Sequence, residues 1–223
     1  MKLSPLVIAA FIAVGTGASA QSLQDRYGFV FGGVTFEGQS DFDGVITPPG
    51  GLQSVDTDYD SGFNFGIGVG ATIAPSVRAE VELSYTQSDA DQIFFSGNGS
   101  AAEVNVDGGI RATTLFANAL YDFDTGGPFT PYLGAGLGAA FIEQDLVYGP
   151  GVAVNEDDTV FAAQLIAGAS YDLSDALALT ADLRYRRFFD VESNRFNPAG
   201  VSTGIVSGDY NDLSLNVGLR FRF

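Results

Sequence analysis

The sequence predicts an all-β protein: an eight-stranded, antiparallel, up-and-down transmembrane β-barrel with periplasmic termini, preceded by a cleaved signal peptide. Three observations lead there. The last stretch, Asp209 to Phe223, is a strand with one apolar face (Leu213, Leu215, Val217, Leu219, Phe221, Phe223) and one polar face (Ser214, Asn216, Gly218, Arg220, Arg222). Successive side chains of a strand point to opposite sides, so such a segment greases one surface and charges the other. Second, connections between such strands alternate between long and short, the pattern of a membrane barrel with tight turns at one end. Third, no run of about 18 apolar residues follows the N-terminus, which excludes a helical membrane protein.

Taken in order, Met1 to Ala20 reads as a secretory signal. Lys2 gives the positive start, Leu6 to Val14 the apolar run and Ala18-Ser19-Ala20 the cleavage site. The remaining domain, 21–223, opens with a strand near Tyr27–Gly38 and a long polar segment, Gln39 to Asp60. Strand two, Gly62–Ile73, opposes Phe63, Phe65, Ile67 and Val69 to Asn64, Gly66, Gly68 and Gly70. The turn Ala74-Pro75-Ser76 leads to strand three, Val77–Thr86, where Val81 and Leu83 oppose Arg78, Glu80 and Glu82. A second polar segment, Ser88 to Gly108, precedes strand four, Ile110–Phe123, whose alternation is blurred by Phe116 and Leu120. After Asp124 to Pro128 comes strand five, Phe129–Glu143, with Leu133 and Leu137 against Gly134, Gly136 and Gly138. The third polar segment is Val147 to Asp157, and strand six runs Val160–Leu173. The turn at Ser174-Asp175 introduces strand seven, Leu177–Phe188, opposing Leu179 and Leu183 to Asp182, Arg184 and Arg186. A fourth polar segment, Glu192 to Gly208, leads into the final strand. An even strand number lets the first strand pair with the last, leaving no edge in lipid. Tyr27, Tyr85, Tyr121, Tyr171 and Tyr185 fall near strand ends, where aromatic girdles are expected.

The competing fold is a soluble lipocalin-type barrel, with its apolar face around a cavity. The glycine-rich polar faces argue against it, because a soluble exterior would carry Lys, Glu or Thr there. The only lysine in the chain is Lys2.

If the faces are assigned correctly, Arg78, Arg184, Arg186, Arg220 and Arg222 point into the lumen with Glu80, Glu82, Asp122, Asp172 and Asp182. Buried charge is expensive unless paired, so the expected interior is an ion-pair network that plugs a narrow barrel. A gated ion path through exchanging pairs is the alternative. Enzymatic activity is not expected: the chain has no histidine to serve as general base, and no carboxylate pair stands out. Cysteine is absent too, which excludes disulfides and thiolate metal sites. The Asp56-Thr57-Asp58-Tyr59-Asp60 spacing suits Ca²⁺ only weakly, lacking an EF-hand's glycine and distal glutamate. No cofactor is expected. The net charge of −17 makes nucleic acid an unfavourable partner.

Two segments carry a resemblance: Ala117-Asn118-Ala119-Leu120-Tyr121-Asp122-Phe123, and Phe129-Thr130-Pro131-Tyr132-Leu133 continuing through Gly138. Together they resemble a hairpin of the small OmpA-like and opacity-protein-type outer-membrane barrels of Gram-negative bacteria, particularly alphaproteobacteria. The likeness covers the mature chain in topology and rests in motif on this hairpin and the Arg-Phe-Arg-Phe end. It implies a cell-outer-membrane location, contact with outer-membrane lipid and lipopolysaccharide, and a monomer. It also implies that Leu219, Phe221 and Phe223 form a C-terminal signal for the barrel-assembly machinery. With the last strand reaching Phe223, no peptidoglycan-binding domain is expected. The resulting expectation is a structural envelope protein with four acidic extracellular loops, with two alternatives: an adhesin or surface antigen binding an unknown ligand through those loops, or a narrow pore.

Overall fold

In the computed structural model the described residues are 24–46, 52–59, 61–97, 100–148, 152–196, 199 and 201–223. The expected signal segment, 1–20, lies outside them. The ordered segments are all strands: β1 (Gln24–Ile46), β2 (Leu52–Tyr59), β3 (Gly62–Ala74), β4 (Val77–Gly97), β5 (Ser100–Asp122), β6 (Phe129–Tyr148), β7 (Val152–Asp172), β8 (Leu177–Phe196) and β9 (Ser202–Arg222). Every neighbouring pair is antiparallel, from β3 to β9 the pairs follow chain order, and β1 pairs with β9 to close the sheet.

Nine segments make eight staves. β1 pairs with β2 from Val45↔Leu52 to Gly38↔Tyr59, then with β3 from Thr35↔Gly62 to Gln24↔Thr72. β4 pairs with the same two segments from its other side. β2 and β3 thus lie end to end as one stave. Closure gives each strand two neighbours, so the backbone groups are satisfied without water.

The short turns at one end have local reasons for their shape. Ser76 supplies a positive φ of 62° between β3 and β4. Between β5 and β6, the Gly126 N–H donates to Asp124 Oδ1 at 2.8 Å, and Gly126 takes a φ of 72°. Glycine adopts that left-handed region without the Cβ clash that penalises other residues.

Alternation sets the faces. Leu215 and Val217 are 43% and 57% exposed, while Arg220 is 6% exposed and faces the axis. Val81, Leu83, Leu133, Leu137, Leu165 and Leu183 join the outward set. This belt of apolar side chains, which a soluble protein would bury, is the surface that faces lipid. The soluble-barrel alternative is therefore excluded.

Two expectations need correcting. The long polar segments are not loops for most of their length. The β4–β5 ladder continues to Gly97↔Ser100, β6–β7 to Tyr148↔Val152, and β1–β9 to Ile46↔Gly204. Strands of 20 to 23 residues are about twice the length needed to cross a bilayer, so the wall protrudes as a collar at the hairpin end. Tyr27 is the second correction. It is 3% exposed and points into the lumen, whereas Tyr121 and Tyr171 face outward near strand ends and Tyr185 faces outward in the middle of β8. Its register decides this: Tyr27 stands opposite Gly70 and Arg222, both on the inner face.

Candidate functional site: a charge-filled lumen under an apolar cap

The interior is built in levels along the axis. At the turn end, β4 aims Arg78 inward, where its Nε lies 2.8 Å from Asp122 Oδ2 and its Nη1 2.8 Å from Glu80 Oε1. Tyr27 completes this floor, donating its hydroxyl proton to Glu80 at 2.6 Å and accepting from Arg78 Nη1 at 3.0 Å. Arg220 and Arg222 reach the same end. Arg222 pairs with the half-exposed Asp172, while Arg220 sits 3.9 Å from that carboxylate and donates to Ser170 Oγ at 3.2 Å.

Arg184 occupies the centre. Its Nη1 lies 2.6 Å from Glu82 Oε2 and its Nε 2.7 Å from Asp182 Oδ1, and all three side chains are 5% exposed or less. Two anions on one cation leave lone pairs over, and neutral groups take them. Asn118 donates to Glu82 at 3.1 Å, Gln164 donates to Asn118 at 2.7 Å, and Tyr132 and Asn216 donate to Asp182 at 3.0 and 3.1 Å. The Arg184 guanidinium also lies 3.9 Å from the centre of the Phe31 ring, a desolvated cation–π contact. One level further toward the hairpin end, Arg186 Nε pairs with Asp212 Oδ1 at 2.8 Å and Nη1 donates to Thr86 at 2.7 Å.

Of the lumen residues singled out from sequence, Arg78 and Glu80 thus meet at the floor, and Glu82, Asp182 and Arg184 at the centre. Arg186 stands one level higher, Arg220 lies beside the floor, and Arg222 is at the rim. Sequence reasoning missed Asp212, Tyr27, Tyr132, Asn118, Gln164 and Asn216. Asp212 had a signal: it is in phase with Ser214, Asn216 and Arg220 on the inner face. Leu219, Phe221 and Phe223 lie on the outer face, with Phe223 the most exposed at 80%.

The inner-face glycines of β3 make room for neighbouring rings. An added Cβ at Gly66 would fall 2.4 Å from the Phe31 ring, and one at Gly68 would fall 2.3 Å from the Phe29 ring. On β3 the cleared space therefore holds aromatic rings from β1 rather than arginines. Phe116 and Leu120, the residues that blurred strand four, are inward-facing and buried.

Above Arg186 the interior turns apolar. Phe116, Ile142, Leu146, Val160, Phe188, Val191 and Tyr210 form one buried cluster, with Phe188 and Tyr210 stacked at 5.5 Å. Among the described residues, a cavity of about 20 Å³, roughly room for one water, lies between the floor and the centre beside Arg220 and Arg184.

Outside the cap the wall is wet. Asp89, Asp107, Arg111, Asp145 and Asp157 face outward and exposed. Arg187 pairs there with Asp209, whose hydrogen bond and charge raise the guanidinium's proton affinity above its ordinary value. Among the described residues no group of three or more His, Cys, Asp or Glu side chains is placed to hold a metal ion. Asp56, Asp58 and Asp60 lie outside the residues whose side chains are described.

Comparison with known proteins agrees with this architecture. The chain is 28% identical to outer membrane protein PagN of Salmonella typhimurium, over 92% of this chain and 88% of that one. It is 28% identical to major surface antigen 4 of Anaplasma marginale, over 75% of this chain and 62% of that protein. Among solved structures, the outer membrane protein OprG from Pseudomonas aeruginosa superposes with a TM-score of 0.59 at 14% identity, covering 90% of this chain and 96% of that one. The family model for the outer membrane protein beta-barrel domain matches residues 6–223, and the chain belongs to that family of outer-membrane proteins.

Proposed function

We propose that this protein is a non-conducting structural barrel of the outer membrane, whose lumen is plugged by paired charge and whose collar faces the cell exterior. The observation that carries the reading is the filled axis. Ion pairs occupy the floor and centre, with a cavity of about 20 Å³ between those two levels, and an apolar cluster occupies the hairpin end. Buried pairs of this kind stabilise through mutual satisfaction, and removing one partner costs about 3–5 kcal/mol. A path for ions would require both the network and the cap to rearrange. Planar-bilayer recording tests this: the wild-type protein should give no stable single-channel steps. Steps that change size in Arg184→Ala or Glu82→Ala would establish the pore instead.

In this reading export begins with cleavage after Ala20, so N-terminal sequencing of the membrane-inserted protein should begin at Gln21. Leu219, Phe221 and Phe223 serve as the assembly signal, the belt contacts lipid and lipopolysaccharide, and the barrel is a monomer. No catalysis is assigned, since a chain without histidine lacks the usual base.

A second reading has its own support. Across β5, β6 and β7 the collar is an unbroken hydrogen-bonded wall with acidic side chains outward, and one relative is named a surface antigen. Such a wall is suited to binding a basic partner on another surface. Cells carrying variants with shortened β4–β5 and β6–β7 hairpins should then adhere less than wild type. Unchanged adhesion would leave the structural role alone.

A further inference from the structure

The collar wall has one seam unlike the others. β5–β6 and β6–β7 keep their rungs without interruption through the collar. Between β7 and β8, among the described residues, no rung is formed from Ala162↔Phe188 until Val154↔Arg195. The break begins where the wall leaves the apolar belt, at Phe161 on β7 and Phe189 on β8. Side chains bridge it instead. Asp158 Oδ2 on β7 accepts from the Glu192 N–H on β8 at 3.1 Å, while its Oδ1 accepts from the Thr159 N–H at 2.7 Å. The facing segment of β8 is irregular as well: Asp190 has a φ of 52°, and the register against β9 shifts between Phe188 and Val191. Asp209 steadies that bulge from the other side, accepting from the Asp190 N–H at 3.1 Å and from Arg187 Nε at 3.1 Å. Directly behind the seam lie cap residues Val160, Phe188, Val191 and Tyr210, and in front of it the Phe161 and Phe189 rings stand 5.7 Å apart.

We propose that the β7–β8 seam is where the collar opens, with the Asp158 carboxylate as its catch. A ladder of backbone bonds opens cooperatively and at high cost, whereas a gap bridged by side-chain contacts such as that of Asp158 to the Glu192 N–H opens at a fraction of that. The bulge at Asp190 weakens the same edge, because local twist and a left-handed residue prevent rungs from forming there. Opening would expose the apolar cap at the level of the membrane surface and leave the lumen below it closed.

Hydrogen–deuterium exchange on the full chain folded in detergent micelles tests this. The seam segments, 155–161 and 189–194, should exchange roughly tenfold faster than the collar residues of β5 and β6, although all stand at similar height. Asp158→Ala should raise the seam rates further, and Asp158→Asn, which keeps an acceptor oxygen, should stay near wild type. If the seam is as protected as β5–β6, or if Asp158→Ala leaves its rates unchanged, the proposal is overturned. Should Asp158→Ala fail to fold, the double variant Asp158→Cys, Glu192→Cys replaces it. Its oxidised form should slow seam exchange relative to its reduced form, and equal rates would overturn the proposal.

Discussion

The belt and the collar are parts of the same strands with opposite polarity. In the belt, Leu133, Leu137 and Phe141 of β6 face out while Gly134, Gly136 and Gly138 face the axis. A few residues further along the same strand, Glu143 and Asp145 face out and Ile142 and Leu146 are buried. Nothing in the backbone changes at this crossing, since the β5–β6 register runs unbroken from Asp122↔Tyr132 to Val106↔Tyr148. What changes is the solvent. Lipid accepts apolar side chains and leaves polar ones to find partners at the axis, whereas water does the reverse. One barrel therefore carries two kinds of interior, an ionic one inside the membrane and an oily one outside it.

Paired substitutions would break or sharpen that contrast. The largest effect is expected at the ionic centre. Arg184→Ala leaves Glu82 and Asp182 unpaired in the dark of the lumen and should cost about 3–5 kcal/mol, read as a lower urea midpoint for unfolding from micelles. The matching collar substitution, Ile142→Ala, opens a cavity in the cap and should cost roughly 2–5 kcal/mol by the same assay. Third, Leu137→Arg places charge against lipid and should cost about 2–4 kcal/mol, whereas Glu143→Arg, two rungs above Ala139 on the same face, should stay within about 0.5 kcal/mol. If the two cost the same, the belt does not end where the polarity reverses. Smallest is the exposed Arg187–Asp209 pair: Arg187→Ala should barely move the urea midpoint, and the shift should shrink further as salt rises.

Much of the belt was legible in the sequence, because there alternation is strong and every outward position is apolar. The final strand is the clearest case, with Leu213 through Phe223 outward and Ser214 through Arg220 inward. The collar was harder. Its inward positions include alanines, a glutamine and single Ile, Leu or Val residues, so the phase is diluted, and its charged outward positions resemble those of a loop. Pairs within one strand, Arg78 with Glu80 and Arg184 with Asp182, share a face in the sequence, but the pairs between strands were out of reach for another reason. Arg186 and Asp212 are matched by the β8–β9 register, and Arg184 and Glu82 come from strands far apart in the chain. Such meetings depend on how the sheet shears as it closes, which no single strand encodes. Tyr27, Phe29 and Phe31 were obscured similarly, since an apolar residue on the inner face of a membrane strand violates the simple pattern. Their justification lies on the next strand, in the glycines that make room for their rings.

The length of the staves has a consequence for reach. Twenty residues at roughly 3.3 Å each, tilted by about 40°, rise on the order of 50 Å, and the lipid-facing band takes only about 25 Å of that. The remaining half is a tower that stands clear of the lipid-facing band, so the hairpin ends are held away from the bilayer rather than lying on it. Whatever approaches from the hairpin side meets that crown before it can reach the lipid.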